Sequence, residues 1–280
     1  MWSRAHGARV RPGRRERAAA RGEEEEEVPG EEVTEEPLDA AATSLFRATA
    51  ARANYLALDR PEVAFAAKEL CRRMSAPRRR DLAALRRLCR YLLGVPRVVY
   101  QFRPLPAGLP LQVHADTDFA GCIHTRRSTS GGCASRGGHL LKHWSTTQKA
   151  ITLSSGEAEL GGVVKAATEG IGLQSLARDL GIDLSLQIYA DSSAAIGSCR
   201  RTGIGRVRHL AVGQLWVQER LRAGHFTLYK VCGTANPADL LTKHLPGPTI
   251  STHLATLHLS PEQGRPASAP EVSAAIAPWL

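Results

Sequence analysis

Between Pro104 and Pro110 the spacing of apolar residues in this chain changes from a helical period to a strand period, so a fold of one class cannot hold both halves. Upstream, Pro61-Glu-Val-Ala-Phe-Ala-Ala-Lys-Glu-Leu-Cys-Arg-Arg-Met74 opens on proline and repeats apolar residues at helical spacing. Pro77 interrupts it. A second helix follows, with Leu82, Leu85, Leu88, Cys89 and Leu92 on one face, and Gly94 and Pro96 stop it. Its other faces carry Arg86, Arg87 and Arg90, which suit either solvent or a phosphate backbone. Downstream, Leu111–Asp116 alternates as a strand. Gly131–Arg136 and His139–Trp144 are two more strands, joined by the hairpin signal Gly137-Gly138. Ser154-Ser-Gly-Glu157 has the form of a capping box before a long helix faced by Leu160, Val163, Val164, Ala167, Ile171 and Leu176. A strand at Leu186–Asp191, helices at Ser192–Cys199 and Arg206–Arg222, and a strand at His225–Val231 come next. Asn236 and Pro237 then stand as N-cap and first residue of a last short helix. The order β-β-β-α-β-α-α-β-α predicts an α/β domain over about 108–245. Its mixed sheet has three antiparallel strands and then two further strands, flanked by helices.

The flanks read differently. Residues 1–44 form a charged leader in which Arg4, Arg9, Arg11, Arg14, Arg15, Arg17 and Arg21 give way to Glu23–Glu27, Glu31, Glu32, Glu35 and Glu36. Such like-charge blocks bury too little apolar surface to offset ordering entropy, and the leader is expected to be disordered. Residues 45–107 are the helical segment, and 246–280, with six prolines, are expected to be a weakly ordered tail. A net charge of +10 and a pI of 9.7 point to an anionic partner, nucleic acid being the usual one, although a merely arginine-rich protein gives the same total. Six scattered cysteines without zinc spacing argue against a structural zinc site and a disulfide framework, and for an intracellular protein, cytoplasmic or nuclear. No apolar run approaches the roughly 18 residues of a membrane span. The arginine-rich start also lacks the apolar core of a secretory signal. No membrane role is expected.

Four acids fall at the ends of predicted elements. Asp116 ends the first strand and Asp191 the fourth, Glu159 lies near the start of the long helix, and Asp239 near the start of the last one. If the first and fourth strands are neighbours, all four can converge. Clustered carboxylates resist ionising together unless a hard cation holds them. Two Mg²⁺ ions about 4 Å apart can activate water and stabilise the leaving oxygen of a phosphodiester. The structural alternative also stands at this stage: Asp116 as an Asx turn, and Asp191, Glu157, Glu159 and Asp239 as helix-start residues.

Several stretches, in order, resemble the ribonuclease H domain of copia-type retrotransposon polyproteins. They are Ala115-Asp-Thr-Asp-Phe-Ala-Gly121, Thr125-Arg-Arg-Ser-Thr-Ser-Gly131, Leu153-Ser-Ser-Gly-Glu-Ala-Glu-Leu160, Ala190-Asp-Ser-Ser-Ala-Ala-Ile196 and Asn236-Pro-Ala-Asp-Leu-Leu-Thr-Lys243. Residues 53–102, with Asn54-Tyr-Leu-Ala57 and Arg60-Pro-Glu-Val-Ala-Phe65, resemble the segment joining the reverse transcriptase to that domain. The resemblance implies a ribonuclease H-like fold preceded by a small helical connection segment, and cleavage of RNA in RNA/DNA hybrids. It also implies a ligand set of Asp116, Glu159, Asp191 and Asp239 for two Mg²⁺ ions, or Mn²⁺, with Asp118 and Glu157 left out. Hybrid contacts are expected through the minor groove, from Arg126, Arg127, Ser128 and Thr129 and from Arg206, Arg208 and His209. Either group also fits solvated surface. His209 fits a proton shuttle or a helix-start structural role. Cellular ribonucleases H carry a histidine loop before the last helix; Cys232-Gly-Thr-Ala-Asn236 has no histidine, so no general-acid side chain is assigned. No Tyr-x-Asp-Asp occurs, so no polymerase activity is expected, and a reverse transcriptase would act in trans. A catalytically silent remnant that only binds nucleic acid is the alternative. The carboxylate order argues against a different nuclease or a transposase.

Overall fold

Three helices come first in the computed structural model, which describes residues 35–203, 205 and 212–264: α1 (Ala40–Leu56), α2 (Pro61–Cys71) and α3 (Arg79–Gly94). The expected disorder of residues 1–34 lies outside the described residues. The leader nevertheless ends earlier than 44, because Asp39 caps α1 by accepting a hydrogen bond from the Ala42 amide at 2.7 Å. A short strand β1 (Arg97–Tyr100) follows the helices.

β2 (Leu111–Asp118), β3 (Thr129–Arg136) and β4 (His139–Thr147) then form an antiparallel meander. Gly137 and Gly138 turn the β3–β4 hairpin with φ of 56° and 85°, the left-handed region that a two-residue turn of this hand demands. The chain crosses over through α4 (Ser155–Asp179) to β5 (Leu186–Ala190), which pairs parallel with β2. Helices α5 (Ser193–Arg200) and α6 (Val212–Arg222) lead to β6 (Thr227–Lys230), parallel to β5. The strand order is β4-β3-β2-β5-β6. This is the mixed, helix-flanked sheet expected of a ribonuclease H-like fold.

The two faces of the sheet bury separate cores. On one, Val113 and Ala115 of β2 and Ile188 and Ala190 of β5 meet Val163, Ala166 and Ala167 of α4, with Val217 and Phe226 behind. Trp144 and Trp216 pack in this layer too. On the other, Cys133 and Leu140 of the hairpin meet Phe46, Ala50, Val63, Ala67, Leu70, Leu85 and Leu88 from α1–α3. The helical segment shares a core with the sheet, and the described residues from Glu35 onward belong to one compact unit.

The expected weakly ordered tail is corrected over 246–264. α7 (Gly247–Thr256) buries Leu254, and β7 (Leu259–Glu262) pairs antiparallel with β1, Tyr100 opposite Leu259 and Arg97 opposite Glu262. Two of its prolines are accommodated without breaking an element. Pro248 stands in the first turn of α7, where no amide is needed, and Pro261 lies in a two-stranded ribbon with an open edge. Leu254 is fully buried in the second core. Leu254→Ala is therefore expected to cost about 3 kcal/mol in urea denaturation, against almost nothing for a leucine in a loose tail.

Candidate active site

Strand pairing sets the positions of the acids. β2 and β5 run in register with Ala115 opposite Ala190, so Asp116 and Asp191 leave the same end of neighbouring strands. The crossover needed between parallel neighbours brings up α4, whose second turn carries Glu159. Ser154 caps α4 by accepting from the Glu157 amide at 3.2 Å, while Glu157 accepts from the Leu153 amide at 2.8 Å and is occupied as a cap. One carboxylate oxygen each of Asp116, Glu159 and Asp191 lies within 4.8 Å of the others.

Asp239 approaches from a 3-10 turn, Pro237–Leu241. Asn236, fully buried, caps this turn through the Ala238 amide at 3.3 Å, and its Nδ2 donates to the Ala115 carbonyl at 2.9 Å. The cap thus ties the turn to the residue before Asp116. Gly131 faces Asp116 across β2 and β3, and a Cβ there would lie 2.6 Å from Thr242 Cγ2 and 2.8 Å from Leu241 Cβ. Only a residue without a side chain lets the turn press this closely. Thr242, fully buried, donates its hydroxyl to Asp116 Oδ2, and Lys243 Nζ reaches Asp239 Oδ1 at 2.9 Å and Asp116 Oδ2 at 3.5 Å.

Glu159, Asp191 and Asp239 resist ionisation. Burial first, then Asp116 and Asp191, push the Glu159 carboxyl up to about 8. Burial and Asp116 push Asp239 up to about 6 against the pull of Lys243, and raise Asp191 and Asp118 as well. Burial opposes the charge of Lys243, but Asp116 and Asp239 outweigh it and hold the ammonium above its usual range. An all-oxygen, half-buried donor set of this charge suits a hard divalent cation.

Arg126 and Arg127 are exposed on the loop between β2 and β3, as a nucleic-acid contact requires. Ser128 and Thr129 are not: both are buried, contrary to their expected contact role. The Ser128 hydroxyl accepts from the Ala120 amide at 3.1 Å and meets Thr152 at 3.2 Å, so it holds the loop from inside. Arg206, Arg208 and His209 lie outside the described residues. The sequence reading missed Lys68 of α2, whose ammonium donates to Thr129 Oγ1 at 2.7 Å beside the site, and Arg72, which donates to Cys122 at 2.6 Å and pins the same loop. It also missed Thr242 and Lys243. These two sat inside the quoted Asn236–Lys243 motif, but Lys68 had no local signal.

About 31% of residues are identical to the Pol polyprotein of transposon RE1 of Arabidopsis thaliana, over 203 residues covering 71% of this chain. The RE2 polyprotein of the same plant is 32% identical over 71% of the chain, and that of transposon TNT 1-94 of Nicotiana tabacum 29% over 67%. The chain's homologues are copia-type retrotransposon Pol polyproteins. It spans 14% of the length of each of these three relatives. No protein-family model matches it. Among solved structures, ribonuclease H1 of Halobacterium salinarum aligns over 48% of this chain and 94% of its own, at 17% identity and a TM-score of 0.32. At that score the fold assignment rests on the strand order and register above. Among the described residues no helix is long and apolar enough to cross a membrane.

The electrostatics of this site give a pH signature in chelator-treated protein. Because the folded state raises the Glu159 pKa from 4.5 to about 8, the stability it contributes is full below 4.5 and lost as pH climbs through 8. The Glu159→Gln variant, which cannot ionise, is expected to gain stability relative to wild type steadily between pH 5 and pH 8.5. Urea denaturation of both proteins across that range checks it.

Proposed function

We propose that this copia-type domain hydrolyses the RNA strand of RNA/DNA hybrids, using divalent ions, Mg²⁺ or Mn²⁺, held by Asp116, Glu159, Asp191 and Asp239. The observation that carries this reading is the convergence of three carboxylate oxygens within 4.8 Å at one end of the sheet. The homology to Pol polyproteins supports the same chemistry. Bound there, two ions would supply a water nucleophile and stabilise the leaving oxygen of a phosphodiester.

The chain's own residues then have distinct tasks. Asp116, fixed by Thr242 and by its register on β2, is the acid placed between the Glu159–Asp191 side and the Asp239 side. Asn236 holds the Asp239 turn against β2 and so sets where the fourth acid stands. Arg126 and Arg127 put positive charge on the flank where a phosphate backbone would run, and the hybrid's minor groove presents the 2′-hydroxyls that distinguish RNA. A reverse transcriptase would supply the hybrid.

The deciding assay is cleavage of end-labelled RNA/DNA hybrid in Mg²⁺ by wild type and by Asp116→Asn. The variant is expected to lose several kcal/mol of transition-state stabilisation, roughly a hundred- to a thousandfold in rate, while keeping its fold. Equal cleavage by the two proteins, or none by either, sinks the proposal, and hybrid binding without cleavage would favour the silent remnant. For the flank, replacing Arg126 and Arg127 together by alanine is expected to make the salt dependence of hybrid affinity shallower by about 1 to 2 in log–log slope. Fluorescence anisotropy across a salt series measures it.

A further inference from the structure

Inside the acidic site stands the Lys243 ammonium, which bridges two acids from different elements. Lys243 Nζ lies 2.9 Å from Asp239 Oδ1 and 3.5 Å from Asp116 Oδ2, one acid on the 3-10 turn and the other on β2. The three oxygens that converge come from Asp116, Glu159 and Asp191, while the near oxygen of Asp239 stands at ion-pair distance from the lysine. In the four-acid reading proposed above, a second ion would need the Asp239 side as well. An ammonium and a hard dication compete for the same oxygen lone pairs, and at such separations they repel.

We propose that Lys243 is a tethered cation that fills the space between Asp116 and Asp239 in the free protein. The free domain then binds one divalent ion, and admits a second only after a substrate phosphate has drawn the lysine away. This rests on the metal-dependent nuclease reading above and adds an order of assembly to it.

The side chains suit such an exchange. The acids are fixed, with side-chain exposures of 5% for Asp116 and 13% for Asp239, whereas that of Lys243 is 46% exposed on a flexible four-carbon stem. Lys243 also lines the open groove between α2, α3 and the turn that follows Leu240, so its side chain has room to swing away from the acids. The lysine loses two carboxylate partners and gains a phosphate, which keeps its charge paired throughout. Until then it offsets the mutual repulsion of the acids, so the site stays assembled before substrate arrives.

Calorimetric titration of Mg²⁺ into chelator-stripped protein, without nucleic acid, tests the idea. Wild type is expected to bind one ion. Lys243→Met is expected to bind two, the second at least about tenfold more tightly than any second event in wild type, and Lys243→Arg to keep one. Adding Asp239→Asn to Lys243→Met should return the count to one, which locates the second ion. A hybrid made uncleavable by 2′-O-methyl groups should bring the second ion into wild type, and circular dichroism of each variant verifies its fold. Two ions in free wild type, or an isotherm unchanged by Lys243→Met, overturns the role of Lys243 while leaving the nuclease reading intact. No Mg²⁺ binding by any of these proteins, with or without hybrid, overturns both.

Discussion

Parallel pairing of β2 with β5 forces Asp116 and Asp191 into proximity, two like charges that cost free energy wherever they meet. The same pairing demands a crossover, and the crossover helix α4 brings Glu159 to the same end of the sheet. A topological requirement therefore delivers the third acid. The site is a local weakness held in place by the rest of the molecule. The α4 core fixes the strands, Asn236 fixes the turn, and the buried Thr242 hydroxyl fixes the carboxylate of Asp116.

Elements whose stabilising contacts are local were legible in the sequence. Alternation found β2 and β5, the Gly-Gly turn found the hairpin, and Ser154 and Asn236 marked two caps whose hydrogen bonds are present. The acids could be read because strand ends and helix starts are where a topology converges. Contacts between distant segments left no such trace. Nothing near Arg97 announces that its strand partner lies at 259–262, and proline there suggests disorder only until the open edge of the ribbon is known. Ser128 and Thr129 looked like surface hydroxyls because a buried hydroxyl with internal partners has the same local sequence. Lys68 could not be assigned to the site at all, since the packing of α2 against the hairpin is what brings it there.

That packing changes the standing of the helical segment. The α1–α3 layer is half of the second core, and α2 reaches through it to the loop beside the acids by way of Lys68 and Arg72. A shift of this layer moves the loop bearing Arg126 and Arg127, so the substrate contact proposed for them and core packing are mechanically joined on that side of the sheet.

The β1–β7 ribbon also governs the order of events at the ribosome. β1 emerges long before β7, and for the whole interval between Tyr100 and Leu259 its edge has no partner. Leu254, Leu257 and Leu259 are among the last residues of the second core to be synthesised, so α1–α3 wait as an incomplete layer with apolar surface showing. Closing a contact over that separation is slow. Nascent chains of this protein should thus be unusually dependent on chaperone cover until synthesis has passed Glu262.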